Sequence, residues 1–200
     1  MIIDPARHWA FVRTPKAAST SVEMTLRDAL GASIIATGIP SNDLPPIGAG
    51  AGLDTHATVA EAGLNGYRVF AIVRNPFDRF FSWVAHKYAI GGYTLTPDVI
   101  NGEIMLARKR VAGEIQHALG HEPQTTWLKG ATDIYRFEDA QALVNDVCAL
   151  AGVPSLPLRH EKGNYRPAWF GPELLTDAQR TVLESLYASD VSMYMRTRPK

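Results

Sequence analysis

Lys16, Ser19, Thr20 and Ser21 are one group whose residue types and spacing suit chemistry; Arg74 and Ser82 are a second. One ammonium and three hydroxyls, set where a helix begins, are an inventory of anion ligands, because the first amides of a helix have no intrahelical acceptor and its dipole favours negative charge. The segment Pro15 to Ser21 is not the common nucleotide loop G-x-x-x-x-G-K-S/T: it contains no glycine, and its lysine enters at the start. The same residues also have a purely local reading, in which Thr20-Ser21-Val22-Glu23 is a capping box and Lys16 a solvated charge.

The elements that must position these groups are legible from apolar patterning. Trp9-Ala10-Phe11-Val12 is an unbroken apolar run that suits a strand buried on both faces, and Pro15 ends it. Val22, Leu26 and Ala29/Leu30 then share one helical face, with Gly31 placed to stop the helix. Arg68 to Arg74 repeats the strand pattern, and Asn75-Pro76-Phe77-Asp78 opens a helix with a capping residue and proline at the first helical position. Phe77, Phe80, Phe81, Val84 and Tyr88 form its apolar stripe; Arg79, Ser82 and His86 form a second, polar stripe.

Asp133 to Phe137 is a third strand, followed by a helix over Glu138 to Gly152 whose apolar positions include Leu143, Val147 and Leu150. Ser33 to Thr37 reads as a short strand, Gly38 to Gly52 as a glycine- and proline-rich loop, and His56 to Gly66 as a short helix. Asp98 to Leu119 is the longest helical pattern, with Ile100, Ile104, Ala107, Val111, Ile115 and Ala118 in register. Strands alternating with helices predict an α/β domain over residues 1–200: a parallel sheet flanked by helices on both faces. Right-handed crossovers then bring the loops after Arg13 and Val73 to one sheet edge, and Lys16 and Arg74 towards one ligand.

Composition narrows the function. Twenty basic and twenty acidic residues cancel, so the overall charge gives no argument for a nucleic-acid or membrane partner. The one cysteine, Cys148, lies in an apolar helical pattern and reads as a buried structural thiol. Asp4, Arg7, His8 and Arg13 interrupt the N-terminal segment, and no apolar run approaches a membrane span, so a cytoplasmic protein is expected. His117 and His121 stand four apart, but with Gly120 between them and no third ligand in spacing they predict no metal site. Arg108, Lys109 and Arg110 read as a solvated helix face.

P-K-x-x-S-T-S followed by V-R-N-P-F-D-R-x-x-S resembles the paired signature of the sulfotransferases that use 3′-phosphoadenosine 5′-phosphosulfate. The likeness is to the carbohydrate group that includes the heparan 2-O and chondroitin enzymes, and to their soluble bacterial relatives. Looser matches extend along the chain: Gln124 to Leu128 to a Q-x-x-W-L element, Tyr135 to Asp139 to Y-R-F-E-D, Asn164-Tyr165-Arg166 to N-x-S/R, and Tyr187 to Tyr194 with Asp190 to a closing helix. The resemblance implies a P-loop-kinase-like sulfotransferase fold. It also implies that Lys16, Ala17, Ala18, Ser19, Thr20 and Ser21 hold the 5′-phosphosulfate, and that Arg74 and Ser82 hold the 3′-phosphate. His56, in T-H-A-T-V-A-E, matches the element that carries the general base, with His86 the next candidate.

The implied reaction is sulfuryl transfer to an acceptor hydroxyl, on a glycan or glycoconjugate, without a metal: Lys16 would stabilise charge on the oxygen bridging phosphate and sulfate. Two other readings stay open at this level, a nucleotide kinase or triphosphatase of related fold and a nucleotide-binding module without catalysis. The segment Pro157 to Pro167, with Arg159, His160, Lys162 and Arg166, is a nucleotide lid, an acceptor contact or a solvated loop. Acceptor identity and oligomeric state are not encoded in these motifs.

Overall fold

Five short apolar segments pair into one sheet in the computed structural model, which describes residues 1–31, 34–36, 58–116, 119–160 and 165–200. The strands are β1 (Ile2–Asp4), β2 (Trp9–Val12), β3 (Ile35–Ala36), β4 (Arg68–Val73) and β5 (Asp133–Arg136), in the order β3-β1-β2-β4-β5. The three main strands expected from the sequence, β2, β4 and β5, are parallel neighbours, with Phe11 beside Phe70 and Val73 beside Arg136. The sheet is not purely parallel, however: β1 runs antiparallel to both β2 and β3. Its connection to β2 is only Pro5 to His8, far too short for the crossover that parallel strands require. Asp4 closes this turn by accepting bonds from the Arg7 amide at 3.0 Å and guanidinium at 2.8 Å, which explains the charges that interrupt the first apolar residues.

Helices cover both faces. On one, Trp9, Phe11, Phe70, Ile72 and Tyr135 pack against α1 (Ser19–Leu30) and α5 (Ala140–Ala151) through Val22, Leu26, Leu143, Val144, Val147 and Cys148. On the other, Ala10, Val12, Val69, Ala71 and Val73 pack against Trp127 and Leu128 of α4 (Thr125–Leu128) and Met193 and Tyr194 of α7 (Ala188–Arg196). This alternation is the period-two pattern of strands buried on both sides. A third cluster joins α2 (Pro76–Gly91), α3 (Val99–Val111) and α6 (Asp177–Leu186) around Phe80, Phe81, Ile104, Phe170 and Leu183. Among the described residues no helix is long and apolar enough to cross a membrane.

Several expected elements are shorter than their patterns. The stripe from Asp98 breaks at Val111, because Gly113 at φ 76° ends α3 with paired bonds from the Gly113 and Glu114 amides to the Arg110 and Lys109 carbonyls. That leaves α2, at 16 residues, longer than α3, at 13. Residues 58–66 form turns rather than a helix: Thr58 and Glu61 exchange the reciprocal bonds of a capping box, but a single helical turn follows before Gly63 and Gly66, both at positive φ. Leu150 is exposed on α5. Of the segment 33–37, Ile35 and Ala36 are strand; the loop 38–52 lies outside the described residues.

Candidate functional site

The carboxyl ends of β2 and β4 open into a pocket of about 770 Å³. Its lining includes Lys16, Ala18, Ser19, Thr20 and Ser21 from the first sequence group and both Arg74 and Ser82 from the second. Parallel pairing of β2 with β4 produces this meeting, since it sets their following loops side by side. Arg74 Nη1 donates to the Lys16 carbonyl at 3.1 Å, so the two groups touch directly. His56 lies outside the described residues.

The first loop holds an unusual backbone. Lys16 and Ala18 occupy positive φ, at 63° and 58°, while Ala17 between them does not. Left-handed residues at alternate positions are a conformation that glycine usually supplies. Ala17 does not line the pocket; it is wholly buried in the core beside Val22, and its amide donates to the Thr14 carbonyl at 3.3 Å. The capping-box reading of Thr20 to Glu23 does not hold. Helix α1 starts at Ser19 with Ala18 as N-cap and no side-chain cap, and Glu23 instead pairs with Arg13 at 2.7 Å and Arg27 at 3.1 Å.

The hydroxyls are not equivalent. Ser19 Oγ donates to the Thr14 carbonyl at 3.1 Å, and Thr20 Oγ1 accepts from Arg13 Nη2 at 3.3 Å, which leaves each with acceptor capacity towards the pocket.

Arg74 is fixed on several sides. Its guanidinium stacks over the Phe137 ring at 4.2 Å, a contact worth roughly 0.5–2 kcal/mol. Burial pulls its pKa below the ordinary value, with the Asp78 carboxylate opposing and Arg166 assisting, yet arginine remains charged at neutral pH. Ser82 and His86 line the pocket one helical turn apart on α2, but Arg79 does not share their surface. It is 1 % exposed and donates to the Gly120 carbonyl at 3.1 Å and to the Glu122 carbonyl on the far side of the helix. The expected polar stripe is therefore split.

Beside Ser82 and His86 the wall is aromatic. Trp83 lies against Gly120 so closely that a Cβ there would sit 1.9 Å from its ring, and His86 contacts Tyr165 at 5.2 Å between centroids.

The basic segment after Pro157 is pinned at both ends. The Arg159 amide donates to Thr25 Oγ1 at 2.9 Å and its guanidinium pairs with Asp28 at 2.8 Å, both on α1; Arg166 pairs with Asp78 of α2 at 2.8 Å. Leu158, His160, Tyr165 and Arg166 consequently face the pocket, while residues 161–164, with Lys162 and Asn164, lie outside the described residues.

Four cationic side chains, Arg13, Lys16, Arg74 and Arg166, thus line a pocket to which Glu138 is the carboxylate contributed among the described residues. Sequence reasoning passed over Arg13, Phe137 and the pocket role of Glu138. Arg13 had a signal, since it follows β2 as Arg74 follows β4. His121 is buried and shares a hydrogen bond of 2.9 Å with Glu103, which also pairs with Lys87 at 2.7 Å, while His117 lies outside the described residues. Burial pushes the His121 pKa down, against the pull of Glu103.

The site is a cationic pocket built from an uncapped helix start and a half-buried arginine, with the charge to take an anionic ligand. No family model, curated protein or solved structure matches this chain.

Proposed function

We propose that this chain transfers the sulfuryl group of 3′-phosphoadenosine 5′-phosphosulfate to an acceptor hydroxyl on a carbohydrate, within a P-loop-kinase-like sulfotransferase fold. The observation that carries this reading is the single pocket shared by the Lys16–Ser21 loop and by Arg74 with Ser82. A nucleotide with phosphate at both ends of its ribose needs two anion sites a short distance apart, one on backbone amides and one on a guanidinium.

The residues fit that ligand by charge and by volume. Lys16 and the α1 amides would neutralise the 5′-phosphosulfate; Arg74 and Ser82 would take the 3′-phosphate. As the acceptor oxygen bonds to sulfur, the bond from sulfur to the bridging phosphate oxygen breaks, and Lys16 meets the charge that develops there. The acceptor proton passes to a base. His56 is proposed for this on sequence grounds, with His86, which lines the pocket, as the residue to compare. The carboxyl end of β4, next to β2, carries Arg74 where a magnesium-dependent kinase would need an acid, which favours a metal-free mechanism. A single buried cysteine fits a reducing, cytoplasmic setting.

Calorimetric titration tests the reading. Adenosine 3′,5′-bisphosphate should bind well above adenosine 5′-phosphate, and Arg74→Ala should erase the difference, about 1.5–3 kcal/mol for a charge-assisted bond. Equal binding of the two nucleotides by the native chain, or tighter binding of ATP with magnesium, overturns it.

A further inference from the structure

Gln124 is wholly buried and does not itself line the pocket, yet both ends of its side-chain amide are bonded to the main chain of a residue that does, Arg74. Its Oε1 accepts from the Arg74 amide at 2.9 Å, and its Nε2 donates to the Arg74 carbonyl at 2.8 Å. This is the pairing an adjacent strand would make, supplied by one side chain at the residue where β4 has just ended. The amide has a single orientation available, because turning it over would set oxygen against oxygen and nitrogen against nitrogen.

Gln124 is itself held from behind. Its own amide donates to Asp190 Oδ2 at 2.7 Å and that of Thr125 to Oδ1 at 3.0 Å, so both oxygens of this fully buried carboxylate on α7 are engaged. The preceding residues are tied as well, with the Gly120 and Glu122 carbonyls accepting from Arg79 and the His121 carbonyl accepting from Tyr187 at 3.0 Å. Helices α2 and α7 therefore clamp a short segment whose one projecting group fixes the backbone of Arg74.

We propose that Gln124, braced by Asp190, is a positioning residue for recognition of the nucleotide 3′-phosphate: it sets the point from which the Arg74 guanidinium reaches the pocket. The proposal rests on the reading of Arg74 given above. Arginine pairs strongly with phosphate only in a narrow geometry, and a main-chain shift at Arg74 would spoil that geometry without removing the charge. A merely structural Gln124 would instead weaken every ligand together or lower stability alone.

The experiment measures affinity for adenosine 3′,5′-bisphosphate and for adenosine 5′-phosphate in Gln124→Met, in Arg74→Ala and in the double variant. Gln124→Met should bind the monophosphate as the native chain does and the bisphosphate roughly tenfold more weakly. In the Arg74→Ala background it should cost the bisphosphate nothing further, since residues acting through one contact are not additive. If Gln124→Met does not fold, Gln124→Glu, which keeps the acceptor for the Arg74 amide, carries the same measurement. An unchanged ratio of the two affinities, or an equal loss of both, overturns the proposal. If Arg74→Ala also leaves the ratio intact, the 3′-phosphate reading has failed; if Arg74→Ala alone removes it, only the role of Gln124 has.

Discussion

At the turn from β4 to α2, Asn75 accepts from the Phe77 amide at 3.0 Å and the Asp78 amide at 3.4 Å, and Pro76 removes one donor altogether. At the turn from β2 to α1, the N-cap is Ala18, no side chain caps the helix, and two residues with side chains hold positive φ. Both turns follow parallel strands and both open into one pocket, but the first is complete in itself and the second is not. The self-capped turn delivers side chains, Arg74 and Ser82, to the pocket. The uncapped turn offers its backbone, and retains a strain of about 1 kcal/mol or more at each left-handed residue to do so.

The two largest expected effects fall on turnover. On the proposed reaction, Lys16→Ala should weaken donor binding and lower turnover by about 10²–10³-fold, because its charge would meet the donor in ground and transition states alike. His56→Ala should lower turnover by roughly 10²–10⁴-fold while bisphosphate binding persists. Steady-state kinetics beside calorimetry separates the two. Loss of binding in His56→Ala would move that residue from the base to the nucleotide site.

The next two changes have opposite signs on stability. Asn75→Ala leaves the α2 amides without their cap and should destabilise by about 1 kcal/mol, lowering the melting temperature by roughly 2–4 °C. Ala18→Gly removes a Cβ from a left-handed residue and should raise the melting temperature of the ligand-free chain, by up to about 1 kcal/mol in stability. Thermal melts of the pair check this. A fall for Ala18→Gly would show that the first turn stores no strain.

The smallest effect concerns the polar cluster behind Trp83. The folded chain holds the His121 pKa below its unfolded value, so the unfolded chain binds a proton more readily. The stability this gives is complete above about pH 6.5 and is lost as pH falls below it. Glu103, kept low by bonds from His121 and Lys87 that outweigh its burial, acts in the same direction at more acid pH. Melting temperature should therefore drop between pH 7.5 and 5.5, and His121→Gln, though less stable at the upper value, should drop less. Parallel curves for the two proteins would remove His121 from the account.

What the sequence displays of this architecture is what local patterning encodes. The runs Trp9 to Val12 and Val69 to Val73 are apolar because both their faces are covered, and with the half-buried strand Asp133 to Arg136 they form the parallel core of the sheet. Gly31 and Asn75-Pro76 are visible because end signals depend on single residues. Strand β1 is not visible, since three residues carry no period and its pairing is set by the turn that Asp4 ties. Arg79 misleads because spacing of three and four also describes a helix edge, and the carbonyls that draw it inward lie more than forty positions away in the chain. Residues of both sequence motifs meet in one pocket, without Ala17, while Arg13 reads locally as a charge among apolar residues and becomes a pocket wall only through Thr20 and Glu23.

The close seat of Trp83 on Gly120 gives the chain a built-in optical reporter. Of its four tryptophans, Trp9 and Trp127 are sealed in the sheet cores and Trp169 stands exposed outside the pocket lining, whereas Trp83 forms part of the wall beside Ser82 and His86. Its indole cannot retreat over position 120 without meeting backbone. A ligand in the site should therefore change the emission of Trp83 against the steady background of three tryptophans that do not line it, readable on unlabelled protein.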